Sequence, residues 1–421
     1  MIKFIHAADI HLDSPLRGLS RYEGDPEEEI RQATRRALEN LVVLAQEAEV
    51  NFVLIAGDLY DGNWKDHNTG LFFAKQMSEL RKADIKVFIV SGNHDAQSVI
   101  TKSLKLPENV FQFSTKHAET QHLDNISVAI HGQGFPTKSV TNDLSFNYPI
   151  KVPDAFNIGL LHTSMTGREG HDNYAPCSAE GLVKRGYDYW ALGHVHTQEQ
   201  ISADIPIWFS GNIQGRHIRE TGKKGCLLVT VDDAGGVDTE FQELDVLRWL
   251  ELPIDASKAK NPDDCIEVFR EQLLSVLEQN DGRSIAMRVI VSGESEAHEK
   301  IVSRQESFLS DIRSVANDYG DGTVWVEKVA LSTRPVMTQP QPHSLEGPLG
   351  ELTSILDSLP ADEDALAVLM NEFAPLLKKL PHELSEGPDS LQLNTSEKIT
   401  AILKQVRPML FTRLRGSDGA L

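Results

Sequence analysis

Short apolar runs that end in polar residues recur along the first half of the chain. In "VFIVSGNHDAQ", residues 87–97, β-branched residues give way to a glycine and then to Asn93, His94 and Asp95. The stretches "NFVLIAGDLYD", "AFNIGLLHTS", "GYDYWALGHVH" and "IPIWFSGN" follow the same pattern. Apolar runs of this length predict strands that are covered on both faces. The carboxyl ends of such strands are where open α/β sheets bind ligands.

Amphipathic stretches separate these runs. "EEEIRQATRRALENLVVLAQEAEV" has the spacing of a helix, and its alternation with strands predicts a layered α/β domain over residues 1–245. Residues 246–333 alternate helix and strand with fewer polar strand ends, which indicates a small, separate α/β domain. The Pro-rich and Gln-rich stretch "TRPVMTQPQPHS" predicts a linker at 334–344. Leucines from Leu345 onward, spaced four and three apart, predict a helical region at 345–421.

Net charge and cysteine usage narrow the possible functions. The formal charge of −21 argues against general nucleic-acid binding, because that binding depends on Lys and Arg neutralising phosphates. An anionic substrate would have to be held locally, and bound divalent cations would serve. The three cysteines lack CxxC spacing, which argues against a disulfide framework and a thiolate metal site. No stretch has the length of a membrane span or of a signal-peptide core, so we expect a cytoplasmic protein.

The polar residues at the predicted strand ends are oxygen and imidazole ligands. Asp-x-His and His-x-His would place both side chains on one side of an extended backbone. Imidazole mixed with carboxylate suits Mn, Fe or Zn, and the surplus of ligands over one ion's need predicts two ions that share a carboxylate. Taken alone, each of these motifs would be interpreted as a capped turn or a hydrogen-bonded core histidine. All of them together, in this order and each after an apolar run, favour a metal site. The candidate ligands are Asp9, His11, Asp58, Asn93, His162, His194 and His196.

These motifs, D-x-H, G-D-x-x-D, G-N-H-D, a lone His and G-H-x-H, resemble the calcineurin-like metallophosphoesterases. The resemblance implies an α/β fold with a two-sheet β-sandwich flanked by helices, followed by a small α/β capping domain that binds DNA and a helical tail. "FIHAADIHLDSPLRGL" and "SGNIQGRHIRETGKKGC" are similar to the DNA-repair exonuclease branch, the nuclease subunit of SbcCD-type complexes. Asp13, where many SbcD proteins carry Gly, resembles the YhaO-like sub-branch.

The resemblance also implies roles for individual residues. Asp9, His11, Asp58 and His196 would hold one metal ion, and Asp58, Asn93, His162 and His194 the other, with Asp58 as the bridge. The expected ions are Mn²⁺. His94 is expected to stabilise the transition state and protonate the leaving oxygen, oriented by Asp95. Asp61 of "GDLYD" is expected to cap a turn or support a ligand.

Two further regions bear on partners. A basic cluster after the last of these strands either contacts DNA phosphates or is only a solvated loop; it comprises Arg216, His217, Arg219, Lys223 and Lys224. The helical tail either packs on its own domain or docks a partner. The resemblance implies that it binds the coiled coil of an SbcC-like ATPase, and it suggests a homodimer.

Three functions therefore compete. The leading hypothesis is a two-metal DNA exonuclease or endonuclease that hydrolyses phosphodiester bonds in an SbcCD-like repair complex. The second keeps the same site but acts on small phosphoesters or cyclic nucleotides, and the accessory regions disfavour it. The third is a scaffold that has lost catalysis, which the complete set of ligand positions disfavours.

Overall fold

The computed structural model describes residues 1–14, 32–61, 67–97, 105–166, 174–280, 282–336, 348–359 and 362–377, with 395, 398–400, 402–403 and 406. By internal contacts the chain divides into two compact units. The first comprises Met1–Pro253, Phe269–Ile290 and Ser310–Ala330. The second comprises Ile254–Val268, Val291–Leu309 and Leu331–Leu421.

A mixed six-stranded sheet opens the first unit. Its strands are β1 (Ile2–Ala7), β2 (Phe52–Ile55), β3 (Lys86–Ile89), β4 (Val110–Gln112), β11 (Gly225–Val231) and β12 (Val237–Glu243). The order is β12-β11-β1-β2-β3-β4. Strands β1 to β4 pair in parallel, whereas β11 is antiparallel to both β1 and β12. The carboxyl ends of β1, β2 and β3 therefore meet at one edge of the sheet.

A second six-stranded sheet has the order β5-β6-β7-β8-β10-β9. Its strands are β5 (Glu119–Leu123), β6 (Val128–Gly132), β7 (Phe156–His162), β8 (Tyr189–Gly193), β9 (Glu199–Ser202) and β10 (Ile207–Phe209). Here β6, β7, β8 and β10 are parallel neighbours. The second set of predicted ligands follows β7 and β8.

The two sheets pack face to face through a buried apolar layer. Phe4 and Phe52 of the first sheet lie in one core cluster with Ile158 and Tyr189 of the second. The opposite face of the first sheet packs on helices α1 (Ala33–Glu47) and α2 (His67–Lys82), through residues such as Leu41. All of Phe52–Ile55 is buried, as the apolar runs predict. The two-sheet sandwich flanked by helices is confirmed.

The remaining elements follow the predicted alternation of helix and strand. A short helix α3 (Ala179–Lys184) precedes β8. Beyond β12 a three-stranded sheet has the order β13 (Leu247–Asp255), β14 (Ser284–Ser295) and β15 (Val324–Pro335). Helix α4 (Pro262–Gln279) lies between the first two strands in sequence, and α5 (His298–Ser303) and α6 (Gln305–Gly320) lie between the last two. Arg304 separates these two helices, because its φ of −125° and ψ of 40° are not helical.

The tail forms helices α7 (Pro348–Ser358) and α8 (Glu363–Leu377). The predicted linker at 334–344 extends from 337 onward into residues outside the described ones. The boundary between the two units runs through the strands of the third sheet, and the domain limits stay predictions. None of the described helices is long and apolar enough to cross a membrane.

Candidate metal centre

Four of the predicted ligands lie on turns that follow strands and have backbone conformations that are rare for residues other than glycine. The φ angles are 50° for Asp9, 45° for His11, 52° for Asp58 and 103° for His194. The sequence pattern implied an extended backbone at the two paired motifs, and this expectation is wrong. The chain leaves β1, β2 and β8 through turns with positive φ, a conformation that costs energy and clusters at functional sites.

The glycines of two motifs permit close approach between the ligand-bearing segments. A Cβ on Gly193 would lie 1.9 Å from the carbonyl oxygen of Ala56, two residues before Asp58. A Cβ on Gly57, whose φ is +94°, would lie 2.4 Å from Nδ1 of His162. Only a residue without a side chain fits at these positions, so the glycines allow strand ends from both sheets to meet.

One group of ligands combines Asp9, His11 and His196, with one ligand atom of each within 4.8 Å of the others. Nε2 of His11 lies 3.3 Å from Nε2 of His196, and Nε2 of His196 lies 3.9 Å from Oδ1 of Asp9. The Asp9 carboxylate accepts a hydrogen bond from the backbone N–H of His194 at 2.9 Å. This group matches the predicted first metal set without Asp58.

A second group combines Asp58, His162 and His194 within the same distance. Nδ1 of His162 donates to the carbonyl oxygen of Ala56 at 2.9 Å, so Nε2 carries the lone pair that a metal requires. That Nε2 lies 3.0 Å from Oδ1 of Asn93 and 3.6 Å from Oδ2 of Asp58. Acceptor atoms from three side chains therefore converge, an arrangement that a cation between them would relieve.

Asp58 lies between the two groups. Its Oδ2 is 3.9 Å from Nε2 of His11 in the first group and 3.6 Å from Nε2 of His162 in the second. Its Oδ1 accepts a hydrogen bond from the backbone N–H of His94 at 2.9 Å. This placement agrees with the bridging role that the family resemblance implies.

The electrostatics of the centre also suit divalent cations. Burial, together with the charge of Asp58, raises the pKa of Asp9 well above its usual value, and burial raises that of Asp58. Burial lowers the pKa of His162 to about 3 and that of His11 well below its usual value. Neutral imidazoles and carboxylates that carry an energetic cost when ionised are stabilised by a bound cation. The donor set therefore fits two divalent ions.

His94 lies beside these groups and is paired with Asp61. Its Nδ1 is 2.9 Å from Oδ1 of Asp61, and Oδ2 of Asp61 accepts from the hydroxyl of Ser14 at 2.7 Å. The hydrogen bond from His94 is the main reason that the pKa of Asp61 falls to about 2. Burial alone would lower the pKa of His94, but the bond to Asp61 and the charge of Asp58 outweigh it and raise that pKa.

Asp95 does not orient His94 as we expected, because Asp61 occupies that position. The buried Asp95 carboxylate instead accepts hydrogen bonds from the backbone N–H groups of Leu59, Tyr60 and Gly92, at 3.2, 2.9 and 3.0 Å. These bonds join the turn after β2 to the turn after β3. Asp95 therefore fixes the backbone that carries Asp58 and His94, and its side chain does not contact the imidazole.

Glu220, which the sequence patterns did not single out, connects several site residues. Its Oε1 lies 2.7 Å from Nδ1 of His196, and its Oε2 accepts from the side chain of Asn212 at 3.0 Å. Arg216 donates to Oε1 at 3.0 Å. Burial acts to raise the pKa of Glu220, but His196 and Arg216 hold it below its usual range. The available signal was that Glu220 is the acidic residue within the basic stretch "GRHIRETGKKG".

The predicted basic cluster separates into two sets. Arg216 and His217 face Glu220, at 3.0 Å and 3.6 Å, and belong to the network around His196. Arg219, Lys223 and Lys224 line a pocket beside that network. Lys223 pairs with Glu243 at 2.5 Å, whereas the ammonium of Lys224 donates to the backbone carbonyl of His196 at 2.9 Å.

Comparisons with known proteins agree with this geometry. The family model described as calcineurin-like phosphoesterase matches residues 2–198, and the model described as the middle domain of metallophosphoesterase YhaO matches residues 249–334. The uncharacterized metallophosphoesterase YhaO of Bacillus subtilis is 34% identical over 296 residues, which cover 69% of this chain and 72% of that protein.

More distant relatives include the DNA double-strand break repair protein Mre11 of Methanopyrus kandleri. It is 23% identical over 308 residues, covering 67% of this chain and 66% of that protein. The structure of a dimetal phosphatase from Danio rerio covers 58% of this chain and 96% of its own, with 12% identity and a TM-score of 0.34, too distant for a functional conclusion. By its family match and its Bacillus relative, the chain belongs to the calcineurin-like metallophosphoesterase family, in its YhaO branch.

Proposed function

We propose that this metallophosphoesterase hydrolyses phosphodiester bonds in DNA with two divalent cations, most simply Mn²⁺. The observation that supports this most directly is the position of Asp58 between the two ligand groups. Its Oδ2 lies within 4.0 Å of one imidazole nitrogen in each group, Nε2 of His11 and Nε2 of His162. Asp9, His11 and His196 would hold one cation with Asp58, and Asn93, His162 and His194 would hold the other. Paired divalent cations supply a water nucleophile at neutral pH and stabilise the attacking and leaving oxygens.

His94 is the proposed proton donor to the leaving oxygen. Asp61 holds Nδ1, so that Nε2 is the ring nitrogen left to face substrate, and the bond to Asp61 with the charge of Asp58 raises the pKa of His94, which favours the protonated ring. The Ser14 hydroxyl bonds to the same carboxylate and limits its movement. Protonation of the leaving 3′ or 5′ oxygen matters for a phosphodiester because an unprotonated alkoxide is a poor leaving group.

DNA as the substrate is supported by the distant Methanopyrus relative, whose name assigns it to double-strand break repair. The net charge of −21 implies that the chain needs help to hold DNA. We propose an SbcC-like coiled-coil ATPase as that partner, docked on the helical tail, where Ile355 and Val368 are 56% and 62% exposed. Homodimerisation, a cytoplasmic location and DNA binding by the small α/β domain belong to the same proposal. Arg216 and His217, being engaged by Glu220, are less suited to contact phosphates than we expected.

The test is hydrolysis by the purified chain with Mn²⁺. End-labelled double-stranded and single-stranded DNA would be compared with bis-p-nitrophenyl phosphate, for the wild type and for Asp58→Ala and His94→Ala. We expect DNA cleavage that both substitutions abolish, with bound metal lost in Asp58→Ala and retained in His94→Ala. If the chain hydrolyses only bis-p-nitrophenyl phosphate, and still does not cleave DNA after the ATPase partner is added, DNA is not the substrate. That result would instead favour a phosphodiesterase for small esters.

A further inference from the structure

A pocket of about 350 Å³ lies beside the metal centre, separated from it by the backbone of His196. It is lined by residues that follow β8, by the turn before β11 and by Phe241 of β12. Cations and hydroxyls dominate the lining: Arg219, Lys223 and Lys224 with Thr197 and Thr221. The pocket is of the size that small ligands occupy, and its chemistry favours an anion.

Lys224 gives the pocket its character because it is a buried cation on which the carboxylates of Glu220 and Asp245 act through their charge but without a direct ion pair. The residue is 7% exposed, and its Nζ donates to the carbonyl oxygen of His196 at 2.9 Å. Among the described residues no carboxylate lies within 4.0 Å of that ammonium. Lys223, its neighbour, differs in both respects, since its side chain is 62% exposed and paired with Glu243 at 2.5 Å.

An ammonium carries three donors, and a buried charge is costly unless it is paired. One donor of Lys224 is used by His196, so the remaining donors are available to a ligand in the pocket. A phosphate oxygen would supply both the acceptor and the compensating charge, and the hydroxyls of Thr197 and Thr221 are placed on the lining to add hydrogen bonds.

We propose that this pocket binds a phosphate group, namely a backbone phosphate of the strand being cut, flanking the scissile phosphodiester. The proposal rests on the proposed function for its source of phosphate, because free inorganic phosphate offers the same chemistry. Binding there also bears on the metal centre, since Lys224 contacts the backbone of a metal-ligand residue. The pocket would let an acidic chain hold an anionic strand at one local point.

The test measures binding to the full-length chain after metals are removed with a chelator, so that neither hydrolysis nor metal-bound phosphate contributes. The probes are a fluorescein-labelled single-stranded oligonucleotide and inorganic phosphate. We expect Lys224→Met to weaken oligonucleotide binding by about tenfold and to reduce the slope of log affinity against log salt by about 0.7, the value for one phosphate contact on a single strand. The control Lys82→Met, which lies outside the pocket, should stay within about twofold of the wild type, because Glu79 at 2.8 Å already neutralises that exposed ammonium.

Each outcome decides between readings. If the wild type and Lys224→Met bind both probes with equal affinity, the pocket does not bind phosphate, whether or not the chain cleaves DNA. If the chain binds inorganic phosphate but not the oligonucleotide, the pocket is an anion site that does not bind a backbone phosphate of the DNA strand. If the wild-type chain with Mn²⁺ does not hydrolyse DNA but the metal-free chain still binds the oligonucleotide through Lys224, the proposed nuclease activity is wrong and the phosphate pocket stands. If Lys224→Met fails to fold, as judged by circular dichroism, the exposed Thr221→Val provides the second test, with a loss of about threefold expected.

Discussion

Gly92 is the residue at which a single methyl group should disable the metal centre. A Cβ on Gly92 would lie 2.2 Å from Oδ1 of Asp58, 2.8 Å from the backbone nitrogen of Asp58 and 2.8 Å from Cε1 of His162. Two of these atoms belong to side chains that we assign to metal binding. Gly92→Ala therefore pushes on the bridging carboxylate without removing any ligand.

The size of the effect follows from these distances. Ordinary van der Waals contact begins at 3.4 Å, so Oδ1 of Asp58 must move by about 1 Å, and the bond that it accepts from the His94 N–H at 2.9 Å must lengthen or break. A misplacement of about 1 Å can lower catalysis by about 100-fold. Overpacking of this kind costs about 1–3 kcal/mol of stability, which the folded chain can tolerate.

The assays are Mn²⁺ bound per chain, hydrolysis of bis-p-nitrophenyl phosphate and urea denaturation. Gly181→Ala is the matched control, because Gly181, like Gly92, does not have a positive φ, and its Cβ would meet only Ser178 Oγ at 3.2 Å. It tests the added methyl group without a collision at the site, and we expect it to retain metal and activity. If Gly92→Ala binds both ions and turns over substrate within about twofold of the wild type, Asp58 does not bridge at this position.

Other predictions concern residues around the centre. Asp61→Asn should lower DNA cleavage by about 10- to 100-fold and hydrolysis of the nitrophenyl ester much less, because nitrophenolate leaves without a proton; equal losses would show that Asp61 does not act through His94. Glu220→Gln should weaken Mn²⁺ binding in calorimetry by about 10- to 100-fold, and unchanged affinity would reject its positioning of His196. His6, whose pKa burial lowers from 6.5 to about 3, stabilises the fold fully above pH 6.5 and progressively less as the pH falls towards 3. His6→Gln should therefore flatten the pH dependence of the unfolding free energy between pH 6 and 4, by up to about 1.4 kcal/mol per pH unit, and an unchanged slope would contradict the assignment.

The sequence could predict which residues come together at the site, because they are Asp, Asn and His residues that follow successive apolar runs. Apolar runs predicted the strands, and the residues that follow β1, β2, β3, β7 and β8 do converge. The carboxyl ends of parallel strands share an edge, so within each sheet the topology places the ligands at the strand ends near one another.

The partners of individual side chains could not be predicted in the same way. His94 is adjacent to Asp95 in the chain, yet the 3₁₀ turn at Asp95–Gln97 directs the Asp95 carboxylate to backbone N–H groups, and Asp61 from another turn reaches the imidazole. Glu220 is 24 residues from His196 in sequence. Such pairings depend on the conformations of the turns between the strands, which residue type alone does not specify.

Both ligand groups draw on both sheets of the sandwich. Asp9 and His11 follow β1 of the first sheet and meet His196 from the second, and Asp58 of the first meets His162 and His194 of the second. Neither group can form until the apolar layer between the sheets is packed. Cations bound by these two groups would therefore add their binding free energy to that of sheet packing. They would offset the cost of assembling a centre with buried carboxylates of raised pKa and strained turns.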